Sequence, residues 1–268
     1  RIPLVAKVPL WEDAPDLTSA LAAGPQPGTR AEFEMLRRIE EMVEGDRRFA
    51  AVRAAGYLPE VNALVTERLP ARPLGSAGRE TASAARRAGA WLRLFHDALG
   101  DARDAAAAPA DLVHPADGLD APAGAPDALV RAVDTARREV LALGGRTLRL
   151  AVAHGDLGPS NVLVTGDGRV AVLDPNLEPA PVEADLAKLS VALRTSRRRL
   201  AVGIPAGSRF RPEAALLEGY GDHDAGVYRV CRRAAAVRRW IDVERSAAAG
   251  PRRLLLVPAR RVLRRETA

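Results

Sequence analysis

Residues 153–176 read AHGDLGPSNVLVTGDGRVAVLDPN, and three polar side chains stand at defined intervals within this run. Asp156 is followed five positions later by Asn161, and Asp174 comes thirteen positions after Asn161. The apolar segments on either side of residues 166–168 predict two strands joined by a tight turn, because Asp-Gly favours hairpin geometry. Such a hairpin brings Asn161 and Asp174 to neighbouring strand ends.

These three side chains supply the oxygen atoms that a magnesium–nucleotide complex needs. An amide oxygen from Asn161 and a carboxylate from Asp174 are hard ligands of the kind that Mg²⁺ accepts, together with waters and substrate phosphates. Asp156 then remains available to accept a proton from an attacking hydroxyl. Phosphoryl transfer depends on positioned phosphates, a positioned acceptor and a group that takes its proton. A His-Gly-Asp triplet or an Asp-Gly hairpin alone is common in turns, so this prediction depends on the complete pattern.

The His-Gly-Asp of residues 154–156, followed by Asn161, resembles the catalytic loop of the aminoglycoside phosphotransferase-like kinases, often written His-Gly-Asp-x-x-x-x-Asn. This family includes choline kinase-like enzymes and shares its fold with the protein kinases. The resemblance therefore implies an α+β, two-lobed, protein-kinase-like fold, with a small sheet-containing N-terminal lobe and a larger, mainly helical C-terminal lobe.

The same resemblance implies a role for each residue of the pattern. Asp156 would be the catalytic base, Asn161 and Asp174 would bind the metal, and His154 would be structural. Residues 174–176, Asp-Pro-Asn, depart from the family's usual Asp-Phe-Gly or Asp-Trp-Glu ending. The metal-binding carboxylate is kept, so the departure concerns the movement of that loop.

A lysine near the start of the chain resembles the family's phosphate-holding lysine. Residues 5–8 read Val-Ala-Lys-Val, and Lys7 is one of only 2 lysines among 40 lysine and arginine residues. Glu32 on the next predicted helix matches the glutamate that pairs with this lysine, and Glu34 is a weaker candidate. The alternative is a surface helix with acidic residues in its first turn, where the helix dipole favours them and where Thr29 and Glu32 could form a Thr-x-x-Glu capping box.

Residues 64–70, Leu-Val-Thr-Glu-Arg-Leu-Pro, resemble the hinge between the lobes of the family. There the adenine would bond the carbonyl of Glu67 and the N–H of Leu69, with Thr66 at the back of the pocket. An edge strand that runs into a linker fits the same residues.

The prolines and glycine that follow this segment predict a boundary between residues 1–70, the N-terminal lobe, and residues 71–268, the C-terminal lobe. The family's glycine-rich loop, which covers the phosphates, would precede Lys7, and only six residues do so. We therefore expect an N-terminal lobe that is truncated or that lacks this cover.

Two further residues match supporting positions of the family. Asp185 lies in an Asp-Leu-Ala run and resembles the residue that steadies the catalytic loop, although a simple helix N-cap is the alternative. His96 lies in the last turn of a predicted helix over residues 79–99, and we expect it to pack and form hydrogen bonds rather than bind a ligand.

Composition places the chain among globular proteins and excludes some classes. It has 268 residues, 47% hydrophobic and 28% charged. Its single cysteine, Cys231, excludes an intramolecular disulfide and is expected to be structural. We expect a cytoplasmic protein. Residues 105–126 are rich in Ala, Asp, Pro and Gly and predict a mobile loop.

Positive charge is concentrated at the C-terminal end. Residues 191–268 contain 18 arginines and 7 acidic residues, a net charge of +11. Compositional bias towards arginine explains part of this, and an anionic partner is the alternative. Residues 252–265 could make weak contact with an anionic membrane surface, although Pro258 interrupts a continuous helix. No specific nucleic acid partner is expected, because few aromatic residues are interleaved.

The sequence therefore predicts a phosphotransferase that uses ATP and Mg²⁺ and phosphorylates a hydroxyl of a small molecule. A basic acceptor region favours a neutral or anionic metabolite, sugar or glycan over a polycationic antibiotic. Two alternatives remain, namely a catalytically weak, nucleotide-binding pseudokinase and an interaction module that uses the arginine-rich C-terminus.

Overall fold

The computed structural model describes residues 3–8, 16, 18, 19, 27–195, 211–248 and 257–267. The strands are β1 (Leu4–Lys7), β2 (Ala54–Leu58), β3 (Ala63–Glu67), β4 (Ala71–Pro73), β5 (Arg103–Ala106), β6 (Thr147–Ala153), β7 (Val162–Thr165), β8 (Val170–Val172) and β9 (Glu178–Pro181). The helices are α1 (Pro27–Val43), α2 (Thr81–Ala98), α3 (Val113–Ala116), α4 (Asp127–Leu141), α5 (Glu183–Arg194), α6 (Arg211–Tyr220), α7 (Ala225–Ala248) and α8 (Val257–Thr267).

The first sheet carries Lys7 and lies in the N-terminal part of the chain. Its strand order is β1-β3-β2, with antiparallel pairs on both sides of β3. Helix α1 contacts β2 and β3, and its buried Leu36 and Ile39 recur at helical spacing. Glu32 lies one turn before Leu36 on this helix, so the packing of the apolar face also fixes the position of Glu32.

The predicted capping box at the start of α1 is wrong. The helix begins at Pro27, so Thr29 lies inside its first turn, where it is buried rather than capping the end. The carboxylate of Glu32 bonds Lys7 instead of a backbone N–H of the same helix. The Glu32 carboxylate, which the capping box would have used, therefore forms a long-range ion pair.

The C-terminal part contains two further sheets, which bring the predicted loops together. The hairpin of β7 and β8 forms with Val162 opposite Val172, as predicted, and β4 pairs with the other side of β7. The second sheet has the order β5-β6-β9, and its central strand β6 ends at Ala153, directly before His154.

Helices α2 and α6 pack so closely that glycine is required at their contact. A Cβ atom added at Gly89 would overlap the carbonyl oxygen of Leu216, and one at Gly219 would overlap that of Arg86. Trp91 of α2 is fully buried, and its ring contacts Phe95 and His154. The close approach brings the end of α6 beside the end of α2 and so beside the predicted site.

The predicted loop over residues 105–126 contains regular structure, and its mobility stays a prediction. The segment contains the end of β5, a short 3₁₀ helix and α3, and its Leu112 and Leu119 are buried. Arg238 of α7 donates to the backbone carbonyl and the carboxylate of Asp117. Each of these two leucines anchors the alanine-rich segment separately. They are too far apart in the sequence to produce the periodicity that predicts a helix or a strand.

The C-terminal helix α8 packs against α7 rather than extending freely. Leu263 is fully buried, and Arg260 pairs with Glu244 at 2.6 Å. Residues 249–256, which include part of the basic tail, lie outside the described residues, so the membrane contact stays a prediction.

Cys231 of α7 is buried and burial raises the pKa of its thiol, as expected for a structural cysteine. Within the described ranges, no helix combines the length and apolar character of a membrane span.

Candidate active site

The loop of residues 154–161, between β6 and β7, is held by hydrogen bonds to the loop that follows β8. The buried His154 donates from Nε2 to the carbonyl of Leu173 at 2.8 Å. The N–H of Asn176 donates back to the carbonyl of His154 at 2.7 Å. Burial lowers the pKa of His154, which favours a neutral imidazole that acts as a structural donor.

Asp185 of α5 supports the 154–161 loop from beneath. Its carboxylate accepts the backbone N–H of His154 at 2.7 Å and that of Gly155 at 3.1 Å. His96 at the end of α2 donates to it at 3.1 Å and shares a second hydrogen bond with Tyr220 of α6. Burial opposes the charge, but these donors outweigh it and lower the pKa of Asp185 to about 2. Asp185 is therefore a support for the loop and not an exposed helix cap.

Asp156 and Asn161 lie at the two ends of the same loop and contact one another. The amide nitrogen of Asn161 donates to the carbonyl of Asp156 at 2.9 Å and to its carboxylate at 3.3 Å. The carbonyl of Asn161 accepts the N–H of Leu173 at 2.9 Å, so Asp174 follows directly beside it. The Asp156 side chain is 61% exposed, which leaves its carboxylate accessible to a bound molecule.

Lys7 joins the first sheet to this group. Its ammonium lies 2.8 Å from Glu32 and 2.8 Å from Asp174. Partial burial opposes the charge, but hydrogen bonds to both carboxylates outweigh it and raise the pKa of Lys7. Glu34, the weaker candidate, pairs with Arg30 on its own helix. The structure thus brings Lys7, Glu32 and Asp174 together, as the sequence pattern predicts.

A Mg²⁺ ion fits the chemistry of Asn161 and Asp174. No group of three or more His, Cys, Asp or Glu side chains within the described ranges is arranged to hold a metal by itself. One carboxylate and one amide oxygen are nevertheless sufficient for Mg²⁺, which keeps several waters and binds substrate phosphates. Since the amide nitrogen of Asn161 is used as a donor, its amide oxygen is the atom left for a cation.

The predicted hinge residues lie on the sheet that carries Lys7. Thr66 is opposite Val5 of β1, and the backbone N–H of Glu67 donates to the backbone carbonyl of Arg53 at 2.9 Å. Leu69 follows β3 and lines, with Glu67, an open cleft of about 1380 Å³ that contacts neither Lys7 nor Asp156. The contacts of these three residues with adenine stay a prediction.

A smaller cavity lies directly beside the 154–161 loop. This α5–α7 cavity has a volume of about 410 Å³. Its lining combines the small and apolar residues Leu157, Ala184, Val191, Cys231 and Ala234 with the polar residues Ser160, Lys188, Arg238, Arg239 and Asp242. Leu157 and Ser160 belong to the same loop as Asp156, so a molecule in the cavity would contact this loop.

The two arginines that line this cavity are paired with acidic side chains, so the cavity is less positive than its arginine content predicts. Arg238 pairs with Asp117 at 2.6 Å, and Arg239 approaches Asp242 at 4.0 Å. Further arginines of the C-terminal region also pair with buried or half-buried carboxylates, namely Arg194 and Arg232 with Glu213, Arg233 with Glu139, and Arg260 with Glu244. Arginine counts alone therefore give no reliable charge for the acceptor region.

The sequence prediction missed Lys188, the second lysine of the chain. Its ammonium lies 2.6 Å from the carbonyl of Gly155 and 3.0 Å from the carboxylate of Asp156. The scarcity of lysine that drew attention to Lys7 applies equally to position 188. Both lysines of an arginine-dominated chain thus contact the predicted site.

The family model described as "Phosphotransferase enzyme family" matches residues 17–233. No curated protein matches the chain.

Several solved structures resemble the chain in fold. A glucosamine kinase in complex with glucosamine, ADP and inorganic phosphate is 19% identical, with a TM-score of 0.59 over 88% of this chain and 71% of that chain. A choline/ethanolamine kinase family protein from Mesorhizobium loti is 18% identical, with a TM-score of 0.58 over 88% and 78%.

An AMP-bound spectinomycin phosphotransferase is 13% identical, with a TM-score of 0.55 over 91% of this chain and 84% of that chain. At this level of identity the likenesses bear on the fold. They confirm the predicted α+β, two-lobed, kinase-like architecture.

Proposed function

Because the chain belongs to the phosphotransferase enzyme family, whose model covers most of its length, we propose that it transfers the γ-phosphoryl group of ATP to a hydroxyl of a small molecule. The observation that carries this proposal is the convergence of Lys7, Asp156, Asn161 and Asp174 from separate segments onto one exposed site. Similar folds are known in complex with ADP or AMP, which supports a nucleotide as the phosphoryl donor.

In this proposal, Lys7 holds the phosphates of the nucleotide. Its ammonium is already fixed between Glu32 and Asp174, so little side-chain entropy remains to be lost when an anion binds. Asn161 and Asp174 would hold a Mg²⁺ ion, which supplies neutralisation of phosphate charge. Thr66, Glu67 and Leu69, which lie on or directly after the strand paired with β1, would contact the adenine.

Asp156 would act as the base that orients and deprotonates the acceptor hydroxyl. It is exposed, yet its backbone is fixed by Asn161 and by the support of Asp185 beneath the loop. This combination of an open carboxylate on a rigid loop is what positioning of an attacking group requires.

The acceptor would bind in the α5–α7 cavity. Its volume of about 410 Å³ is in the range of small-molecule sites. The mixture of alanine, valine and cysteine with a few charged side chains fits a compact polar molecule such as a sugar or another hydroxylated metabolite. Use of ATP, the proposed phosphoryl donor, favours a cytoplasmic location.

A metabolite panel tests this function directly. The chain is incubated with Mg²⁺, ATP and hydroxylated compounds, and products are measured by a mass gain of one phosphate together with ADP release. We expect at least one compound to be phosphorylated, and Asp156→Ala to lower the rate by about 100-fold or more. A chain that binds Mg²⁺–ATP but phosphorylates nothing, with Asp156→Ala indistinguishable from it, would support the pseudokinase alternative instead.

A further inference from the structure

Lys188 reaches the 154–161 loop from a helix that is remote in the sequence. It lies on α5, three residues after Asp185, so both side chains project towards the same loop. Asp185 accepts two backbone N–H groups of the loop, while Lys188 donates to the carbonyl of Gly155 at 2.6 Å. One face of α5 therefore binds both donors and acceptors of this loop.

The second contact of Lys188 is with the side chain of Asp156, the proposed catalytic base. Its ammonium lies 3.0 Å from Oδ1 of Asp156, while the amide nitrogen of Asn161 lies 3.3 Å from Oδ2. The two carboxylate oxygens are thus held by different partners on different elements. An exposed aspartate would otherwise rotate freely, so these two contacts define the orientation of its carboxylate.

The 154–161 loop has no cationic side chain that could do this itself. Its sequence is His-Gly-Asp-Leu-Gly-Pro-Ser-Asn, and the only ionisable nitrogen in it belongs to the buried His154. Lys188 also lines the α5–α7 cavity. Lys188 therefore both contacts Asp156 and borders the cavity, which is also lined by the next residue of the loop, Leu157.

We propose that Lys188 is a positioning residue, which holds the carboxylate of Asp156 in one orientation beside the α5–α7 cavity, where the acceptor would bind. This inference rests on the proposed function of the same site. Because the ammonium is compact and is shared between a backbone carbonyl and a carboxylate, lysine suits this position better than arginine. This accounts for a lysine at position 188 in a chain that uses arginine almost everywhere else.

A purely structural role is the alternative, in which Lys188 only anchors the carbonyl of Gly155. The two roles differ in their kinetic consequences. A positioning residue affects kcat with little change in the KM for ATP, because the nucleotide contacts of Lys7 and Asp174 lie on other elements. A structural anchor would act through stability and would do so whether or not Asp156 is present.

The test uses the full chain with the acceptor found by the panel and compares Lys188→Met, Lys188→Arg and the exposed-surface control Arg131→Met. We expect Lys188→Met to lower kcat by roughly 10- to 100-fold, with the KM for ATP within about twofold of wild type. Lys188→Arg should recover part of this loss, and Arg131→Met should match wild type. In an Asp156→Asn background, Lys188→Met should change the remaining rate by less than about twofold, because its partner is already gone.

A spectroscopic measurement covers the case in which Lys188→Met does not fold. Lysine labelled with ¹³C and ¹⁵N gives only two side-chain signals, and the folded Lys188→Arg variant identifies the one from position 188. Asp156→Asn should shift this signal, whereas Glu32→Gln should shift only that of Lys7. No shift of the Lys188 signal overturns the proposal.

Each of the other outcomes also decides the question. Wild-type kcat in Lys188→Met, or an equal loss in the presence and absence of the Asp156 carboxylate, overturns the positioning role while the phosphotransferase function stands. Absence of turnover by a wild-type chain that binds Mg²⁺–ATP overturns the proposed function and the positioning role together.

Discussion

The ammonium of Lys7 lies 2.8 Å from Oδ1 of Asp174, although 167 positions separate the two residues in the chain. The same ammonium contacts Glu32 on α1, so one side chain connects the first sheet, its helix and the loop after β8. The contact places the phosphate-holding candidate beside the metal-binding candidate.

Replacement of Lys7 by methionine should weaken nucleotide binding. Loss of a charge-assisted contact to phosphate predicts about a 10- to 100-fold higher Kd for ADP in the presence of Mg²⁺. Isothermal titration calorimetry measures this directly. Arg131→Met, on the exposed face of α4, removes a charge elsewhere and should leave the Kd unchanged; an unchanged Kd in Lys7→Met would exclude the proposed role.

Glu32 and Glu34 provide a matched pair of carboxylates on one helix. Glu32 contacts Lys7, whereas Glu34 contacts only Arg30 of its own helix among the described ion pairs. Glu32→Gln should therefore lower kcat/KM for ATP by roughly tenfold, and Glu34→Gln should leave it near the wild-type value. Equal effects of the two substitutions would show that the ion pair with Lys7 has no functional consequence.

Selective acylation offers a test that needs no acceptor. The chain has only 2 lysines, and they contact the two sides of the site. Mg²⁺–ADP should protect Lys7 from an amine-reactive reagent more strongly than Lys188, because only Lys7 would touch the phosphates. Peptide mass spectrometry quantifies the acylation of both lysines in one sample. Preferential protection of Lys188 would contradict the proposal, because it would place the phosphates of the nucleotide at Lys188 rather than at Lys7.

Asp185 should contribute acid-sensitive stability. Its pKa is lowered from 3.8 to about 2 in the folded state, so the contribution is fully present above the unfolded value near 4 and is lost as the pH falls towards 2. The shift corresponds to about 2 kcal/mol. Urea unfolding at pH 7 and pH 3 should show a smaller pH difference in Asp185→Asn than in wild type.

The exposed Asp104 supplies the control for this measurement. Asp104→Asn should keep the wild-type difference between pH 7 and pH 3. If Asp185→Asn also keeps the wild-type difference, ionisation of the buried Asp185 carboxylate is not the source of the pH-dependent stability.

The close contact of α2 and α6 predicts a cost for a single methyl group. Gly89→Ala would place a Cβ against the backbone of Leu216 and should lower the free energy of unfolding by about 1–3 kcal/mol. Gly166→Ala is the control, because no heavy atom lies near its added Cβ. Similar unfolding midpoints for the two variants would mean that the helices separate at little cost.

Local spacing made much of the site predictable from the sequence. The distances along the chain between Asp156, Asn161 and Asp174 depend on one loop and one hairpin, and Asp-Gly specifies the turn between them. Chain order within a known family pattern then indicated Lys7 and Glu32. These relationships need only short-range geometry or resemblance, and they are the ones that the structure brings together.

The features that sequence analysis missed depend on packing between distant segments. Lys188 contacts Asp156 from 32 positions away, because α5 packs beneath the loop, and no local pattern signals this. The anchoring of Leu112 and Leu119 in an alanine-rich segment is likewise non-local. The Thr29 capping box failed because Glu32 is used by Lys7. The charge count of the C-terminal region overstates its unpaired positive charge, because Arg233 and Arg238 pair with Glu139 and Asp117, acidic residues from outside that region.

The most direct test of the shared magnesium–nucleotide site is the affinity for ADP with and without Mg²⁺ in wild type, Asn161→Ala and Asp174→Asn. We predict that Mg²⁺ tightens ADP binding by about tenfold or more in wild type and that both substitutions abolish this increase. The same Mg²⁺-dependent increase in all three proteins would contradict the assignment, since the ion would then be held by other groups.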